Sequence, residues 1–364
     1  MAKFPGTLLP RLTDVKDSRE VRKTALDLLS KINKLGTETD TNTDTLDELT
    51  ARVDQNELNS FKNKLINGKM DIWQRGTSLS MTTAGTNTAY LADRWRGIVA
   101  GTSGAVTYSR QAFVLGQTDV PGNPQYFLRF DVTNGGDATN GRASLDQAVE
   151  NVIWLGGKSY MLSPWIKASA TKTIAVEITQ YFGTGGAPSA DVNTYIQQIT
   201  VGTTWAQYLI PIDVPTILGK TLGTTVNTSA TFVRFWMSAG SAFSARTNSL
   251  GIQTGTFDFA MLQLEEGDRA TEFEQRPIGV ELVLCQRYYE LGFSSAGSRS
   301  GDNIAVMNAV FKATKRTSPV TMAYSNIVGG AITTAINTVS SVEFFNNPGA
   351  GGAGRADWAA DAEF

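Results

Sequence analysis

The run FVRFWMS (232–238) decides the fold class. Read as an extended chain, it puts Val233, Phe235 and Met237 on one face and Phe232, Arg234 and Trp236 on the other. That two-residue period is the mark of a β-strand with one face in a core. Runs of similar length and pattern lie at 126–132, 160–168, 174–182, 195–201, 205–212 and 256–264, broken by Gly, Asn, Pro and Thr. Strands of this length at this spacing predict an antiparallel jelly-roll β-sandwich over 65–277. The insert 214–231 reads as a loop with little regular structure.

After Pro277 the period changes. Val280, Leu284, Arg287, Tyr288 and Leu291 predict a connecting helix over 278–292, with Gly292 as its C-cap. The set Val280, Val283, Leu284 and Tyr288 gives that helix a stripe to bury against symmetry mates, with Cys285 near the seam and in no disulfide. Strand-like runs at 304–314, 320–325, 332–337 and 339–345 predict a small C-terminal β domain over 293–364. A Gly-rich stretch, 346–354, leads into its closing segment.

Toward the N-terminus, residues 1–16 contain Pro5, Gly6 and Pro10 and read as an extended segment. Asp17 and Glu20 form a capping box. Val21, Ala25, Leu28, Ile32 and Leu35 then recur at alternating spacings of four and three, and the same count lands on Thr39, Asn42, Leu46, Leu49, Val53 and Asn56. With Ile32 at a, Asn42 and Asn56 fall at d, and Arg52 at g faces Glu57 at e. The stretch is rich in weak helix formers and needs partner helices to bury its seam. It predicts a parallel trimeric coiled coil over 17–64 with Ile32, Leu35, Asn42, Leu46, Leu49, Val53 and Asn56 in its core. The alternatives are a dimer and a single helix folded back on the β domain.

The 364-residue chain has no histidine and one cysteine, Cys285. Imidazole catalysis, His-ligated zinc and an intramolecular disulfide are thereby excluded. A net charge of −2 supplies no field for nucleic acid or an anionic membrane. No window has the length and apolarity of a membrane span, and the N-terminus has no signal-peptide apolar region. There is no GxSxG, P-loop or HExxH, and the glycines of 349–354 neither follow a strand nor open a helix. No catalytic residue and no cofactor is expected.

Several segments resemble a known family. NGKMDIWQRGTS (67–78) with YLADRW (90–95) is similar to the start of a jelly-roll domain of phage tail fibre and virion proteins. FDFAMLQLEEGDRATEFEQRP (257–277), CQRYYE (285–290) and WAADAEF (358–364) resemble the end of that domain and of such fibres, and LGGKSYMLSPWIKAS (155–169) resembles a strand pair of carbohydrate-binding modules. The resemblance covers roughly 65–364. It implies a trimeric, non-enzymatic virion protein, made in the host cytoplasm and joined through 1–16 to a tail, collar or capsid protein. Its expected partner is a bacterial surface glycan. A head or collar decoration fibre and a glycan-degrading tailspike are the alternatives, although no repeat of β-helix period is present. Modules of this kind sometimes hold a structural calcium, for which Asp71, Asp93, Asp258 and Glu265 are the available carboxylates.

A glycan site needs aromatic rings beside polar groups. One face with that content carries Phe232, Arg234 and Trp236 with Glu177, Thr179 and Tyr181, and with Trp165 beside Met161, Ser163 and Lys167. The rival is a C-terminal tip presenting Tyr324, Phe344, Phe345 and Trp358, the expected place of first contact. Against the jelly-roll face stands the reading that its residues fill the second half of the sandwich core or a trimer interface.

Overall fold

In the computed structural model the described residues are 23, 26–28, 30, 61–298, 303–349 and 352–364. They belong to two units, Met1–Lys62 and Asn63–Phe364. In the first, Lys23, Leu26, Asp27, Leu28 and Ser30 are helical. The expected coiled-coil core, Ile32 to Asn56, and the anchor 1–16 lie outside the described residues.

The second unit is mainly β and is built on a sandwich. One sheet runs in the order β1 (Ser78–Thr83), β4 (Gly104–Ala112), β5 (Tyr126–Asn134), β14 (Gly255–Ala260), β8 (Trp165–Ala168), β11 (Ala206–Gln207). The other runs β10 (Val192–Val201), β9 (Lys172–Tyr181), β13 (Ala230–Ala239), β6 (Arg142–Glu150), β3 (Arg96–Ala100), β2 (Thr86–Tyr90). Pairing within both sheets is antiparallel. The alternation of β13 comes out as expected. Val233, Phe235 and Met237 enter the core between the sheets, and Phe235 meets Phe259 of the facing sheet at 5.3 Å. Burying a side chain of this size contributes about 2 kcal/mol.

Three expected strands break, and they break together. The run 160–168 divides at Ser163–Pro164 into β7 (Ser159–Leu162) and β8; 205–212 divides into β11 and β12 (Ile210–Asp213); 256–264 divides into β14 and β15 (Leu264–Glu266). The pieces form a three-stranded sheet, β12-β7-β15, whose lateral order copies β11-β8-β14. The sheet thus turns a corner along one line. Pro164 has no N–H for a ladder, and Met261 adopts a positive φ of 50° at the matching point of its strand. Two hydrogen bonds span the turn, Ser163 N to Gln263 O at 2.8 Å and Tyr208 N to Pro164 O at 3.0 Å.

The connecting helix is shorter than its periodicity predicts. α1 covers Ile278–Gln286, and a strand, β16 (Tyr289–Gly297), begins where the helix was expected to continue. Gly292 is therefore no C-cap. It lies in β16 opposite Trp358, and a Cβ placed there would sit 2.1 Å from the Trp358 ring. Cys285 is buried and free, and burial pushes its thiol well up. Val280 and Val283 of the expected stripe are exposed.

The C-terminal domain has two three-stranded sheets, in which β21 (Ala353–Asp361) lies between β16 and β18 (Thr321–Val328), and β20 (Ser341–Asn346) lies between β17 (Ala305–Val310) and β19 (Thr333–Asn337). Its core holds Met307, Val342, Phe344 and Trp358. It belongs to the same compact unit as the sandwich.

Candidate functional site

The segments that resemble virion proteins converge where the C-terminal domain meets the sandwich. Arg94 is fully buried, pairs with Glu363, donates from Nη2 to Ala148 O at 2.6 Å and lies 3.4 Å over the Tyr288 ring. Arg75 pairs with Asp361 at 3.2 Å and stacks 3.6 Å over Tyr289. Arg287 donates to Glu150 at 2.8 Å, and Tyr288 donates its hydroxyl proton to the same carboxylate. Arg316 donates to Ala362 O at 2.8 Å and Glu363 O at 2.6 Å, and covers the Phe364 ring. Asp93 accepts from Gln74 N at 2.9 Å, and the Trp95 indole donates to Asn67 O. These motif residues form a clamp. Cutting the chain at 293 would strip Glu363 from Arg94 and Phe364 from Phe232.

Two of the tip rings face inward as well. Phe344 is fully buried, and Trp358 is buried with its indole donating to Ser294 Oγ at 3.0 Å. Tyr324 is half-buried against Phe344 at 4.9 Å, and its hydroxyl meets Thr334 Oγ1. Alternation within short strands cannot say which face a second sheet will cover, and here β17-β20-β19 covers it.

The jelly-roll candidates divide between the two sheets. Trp165 lies on the outer face of the first sheet, on β8 beside the corner, apart from the others. Glu177, Tyr181, Phe232, Arg234 and Trp236 share the outer face of the second sheet, where Arg234 stands opposite Glu177 and Phe232 opposite Thr179. Glu177 and Trp236 are closed off, however. Helical turns at Ser241–Phe243 and Ser244–Thr247 lie over them: Arg246 bonds both Glu177 oxygens at 2.6 and 2.8 Å, and the Phe243 ring packs at a tilt on Trp236 at 5.0 Å. The Trp236 indole donates to Glu177 at 3.0 Å.

The corner opens a cavity of about 440 Å³ on the first sheet's outer face. Trp165 and Phe273 supply rings, Met261 an apolar floor, and Ser163, Gln207 and Gln275 polar groups. Trp165 and Gln207 are cross-strand partners. The Ser163 hydroxyl is buried with no hydrogen-bond partner among the described residues. A second aromatic group belongs to the same cluster: Phe113, Phe127 and Trp205 pack with centroids 4.8 to 5.3 Å apart, and Lys167 Nζ lies 5.0 Å from the Trp205 ring. Arg129 and Asp258 close the face with paired bonds of 2.8 and 2.9 Å. Sequence reading found Trp165 but not Phe273, which reaches the cluster from a loop, nor Trp205, which heads the expected run 205–212 and lies just before β11.

The calcium candidates do not form a ligand set. Asp93 is held by Gln74, Asp258 by Arg129, Glu265 by Gln263 and Thr271, and Asp71 pairs with Lys69 at 3.6 Å. Among the described residues, no three carboxylates gather as ion ligands.

No family model matches the chain, and no curated protein matches it. Solved structures similar to it include a phage tailspike and carbohydrate-binding modules. The enzymatically active domain of tailspike protein 4 of bacteriophage CBA120 is 14% identical over 57% of this chain, with a TM-score of 0.31. The chain spans only 22% of the length of that tailspike chain. A family 4 carbohydrate-binding module is 12% identical over 55% of this chain and 98% of its own, with a TM-score of 0.29. The family 11 module of a Clostridium thermocellum cellulosomal cellulase is 12% identical over 57% of this chain and 97% of its own, with a TM-score of 0.30.

Proposed function

We propose that this chain is a trimeric phage fibre protein that binds a bacterial surface glycan during adsorption and does not cleave it. The observation that carries this reading is the corner cavity. Sugar rings offer apolar C–H faces ringed by hydroxyls, and this cavity sets Trp165 and Phe273 beside Gln207, Gln275 and the unpartnered Ser163 hydroxyl. A buried hydroxyl without a partner costs free energy that a ligand hydroxyl would recover. Membership of a virion rests on the motif resemblance, and trimerisation through 17–64 on the heptad pattern.

The test is binding of the purified full chain to host surface polysaccharide. Trp165→Ala is expected to weaken binding at least tenfold with an unchanged thermal midpoint, and polysaccharide incubated with wild type should release no reducing ends. Unaltered binding by the variant would overturn the site, and released ends would overturn the non-enzymatic reading. Light scattering is expected to give three times the 39.2 kDa chain mass; twice that mass would make the stalk a dimer.

A further inference from the structure

The outer face of the second sheet carries a ladder of charge. Arg96, Asp146, Arg234 and Glu177 stand in one row across β3, β6, β13 and β9, each opposite the next. Arg96 and Arg234 share Asp146, at 2.8 and 2.7 Å, and Arg234 and Arg246 share Glu177, at 2.8 and 2.6 Å. Both carboxylates are fully buried. Above this floor lies a cavity of about 400 Å³ lined in part by Arg142, Tyr181, Asn193, Phe232 and Phe364.

Arg142 is the member without a carboxylate. Its Nε donates to Ser144 Oγ at 2.9 Å, its guanidinium lies 4.5 Å over the Trp236 ring, and its buried Nη2 has no hydrogen-bond partner among the described residues. Two carboxylates therefore serve three arginines, and the fourth lacks an acidic partner beside an open cavity. A buried donor left unmatched is costly, and the planar guanidinium is the group best shaped to take a carboxylate. Burial first, then the charge of Arg234, push the Arg142 guanidinium down to about 9. It remains a cation at neutral pH.

We propose that this cavity binds an acidic saccharide, with Arg142 as the partner of its carboxylate. Charge alone would accept phosphate equally, but the rest of the lining favours a sugar. The Tyr181, Phe232 and Phe364 rings offer an apolar wall, and the Asn193 amide, whose oxygen accepts from Thr179 Oγ1 at 2.9 Å, lies beside it. Asp191 at the rim repels a second negative charge, which disfavours phosphate relative to one carboxylate. The site lies on the sheet opposite the corner cavity and stands independently of it.

Titration calorimetry of the full chain with glucuronate, galacturonate and N-acetylneuraminate tests the assignment, with their methyl esters and inorganic phosphate as controls. At least one acid should bind saturably, and its ester and phosphate at least tenfold more weakly. Arg142→Gln should weaken the acid at least tenfold, Arg142→Lys less, and Trp165→Ala not at all. Should Arg142→Gln fail to fold, the Lys variant decides. The proposal is overturned if none of the three acids binds, if ester or phosphate binds as well as acid, or if the Lys variant binds like wild type. Loss of acid binding in Trp165→Ala alone would place the ligand in the corner cavity and leave that site standing.

Discussion

The clamp and the outer face of the second sheet are made of the same parts, arginines set against carboxylates and aromatic rings, and they come to different ends. In the clamp, Arg75, Arg94 and Arg287 each meet a carboxylate contributed across the boundary between the β domains, and Arg316 meets the Asn227 carbonyl across it besides those of Ala362 and Glu363 in its own domain. On the outer face, three arginines draw on two carboxylates within their own sheet and its covering turn, and Arg142 is left beside a cavity. The difference teaches that arginine content does not mark a binding site. What separates a joint from a site is whether the fold supplies every guanidinium with a carboxylate or with main-chain carbonyls.

The strongest way to break that comparison is Arg94→Ala. It leaves Glu363 as a buried charge with its closest partner gone, so unfolding in denaturant should show a loss of about 3 to 5 kcal/mol. A loss under 1 kcal/mol would mean that the clamp is ornamental and that both arginine clusters are alike. Gly292→Ala probes the same side through packing, because its methyl would meet the Trp358 ring; about 1 to 3 kcal/mol should be lost. An unchanged thermal midpoint would show that the C-terminal core tolerates the shift.

The outer face is sharpened by acid. Arg234 and Arg96 hold the Asp146 carboxyl down at about 2 although burial opposes them. Its folded value is below its unfolded one, so its contribution is present above the ordinary carboxylate range and is lost as pH falls toward 2. The stability gap between wild type and Asp146→Asn should narrow by about 2 kcal/mol between about pH 5 and pH 2. A gap independent of pH would remove Asp146 from the charge ladder.

Much of the sandwich was legible because β13 and β9 alternate cleanly, and alternation states which residues share a face. It does not state what covers that face. Nothing near Trp236 in sequence announces that Phe243 and Arg246 will fold over it from a helical turn. The corner was hidden for a related reason: 160–168 keeps its strand character on both sides of Pro164, and only pairing partners reveal that its halves belong to different sheets. The helix end was misplaced because Tyr288 to Leu291 fit a helical stripe, while β21, distant in the chain, recruits Tyr289 onward as a strand. Nothing in the sequence announced that the segments 67–78, 90–95, 285–290 and 358–364 lie together, since the clamp joins residues more than 200 positions apart, such as Arg94 and Glu363.

The corner shared by three strands has a consequence for how such a protein can change. The core residues Ile166 and Phe259 sit on one side of the sheet, while the cavity is edged on the other by the segments at Pro121–Gly122 and Thr271–Gln275. Mutation at Pro121, Gly122 or Gln275 alters what the cavity admits without touching the clamp, whereas Thr271 is held to the buried Glu265 carboxylate and Phe273 packs on a buried cluster. Under the proposed function, host range becomes a property of two short loops, and a lineage can drift between hosts while its scaffold stays under unbroken selection.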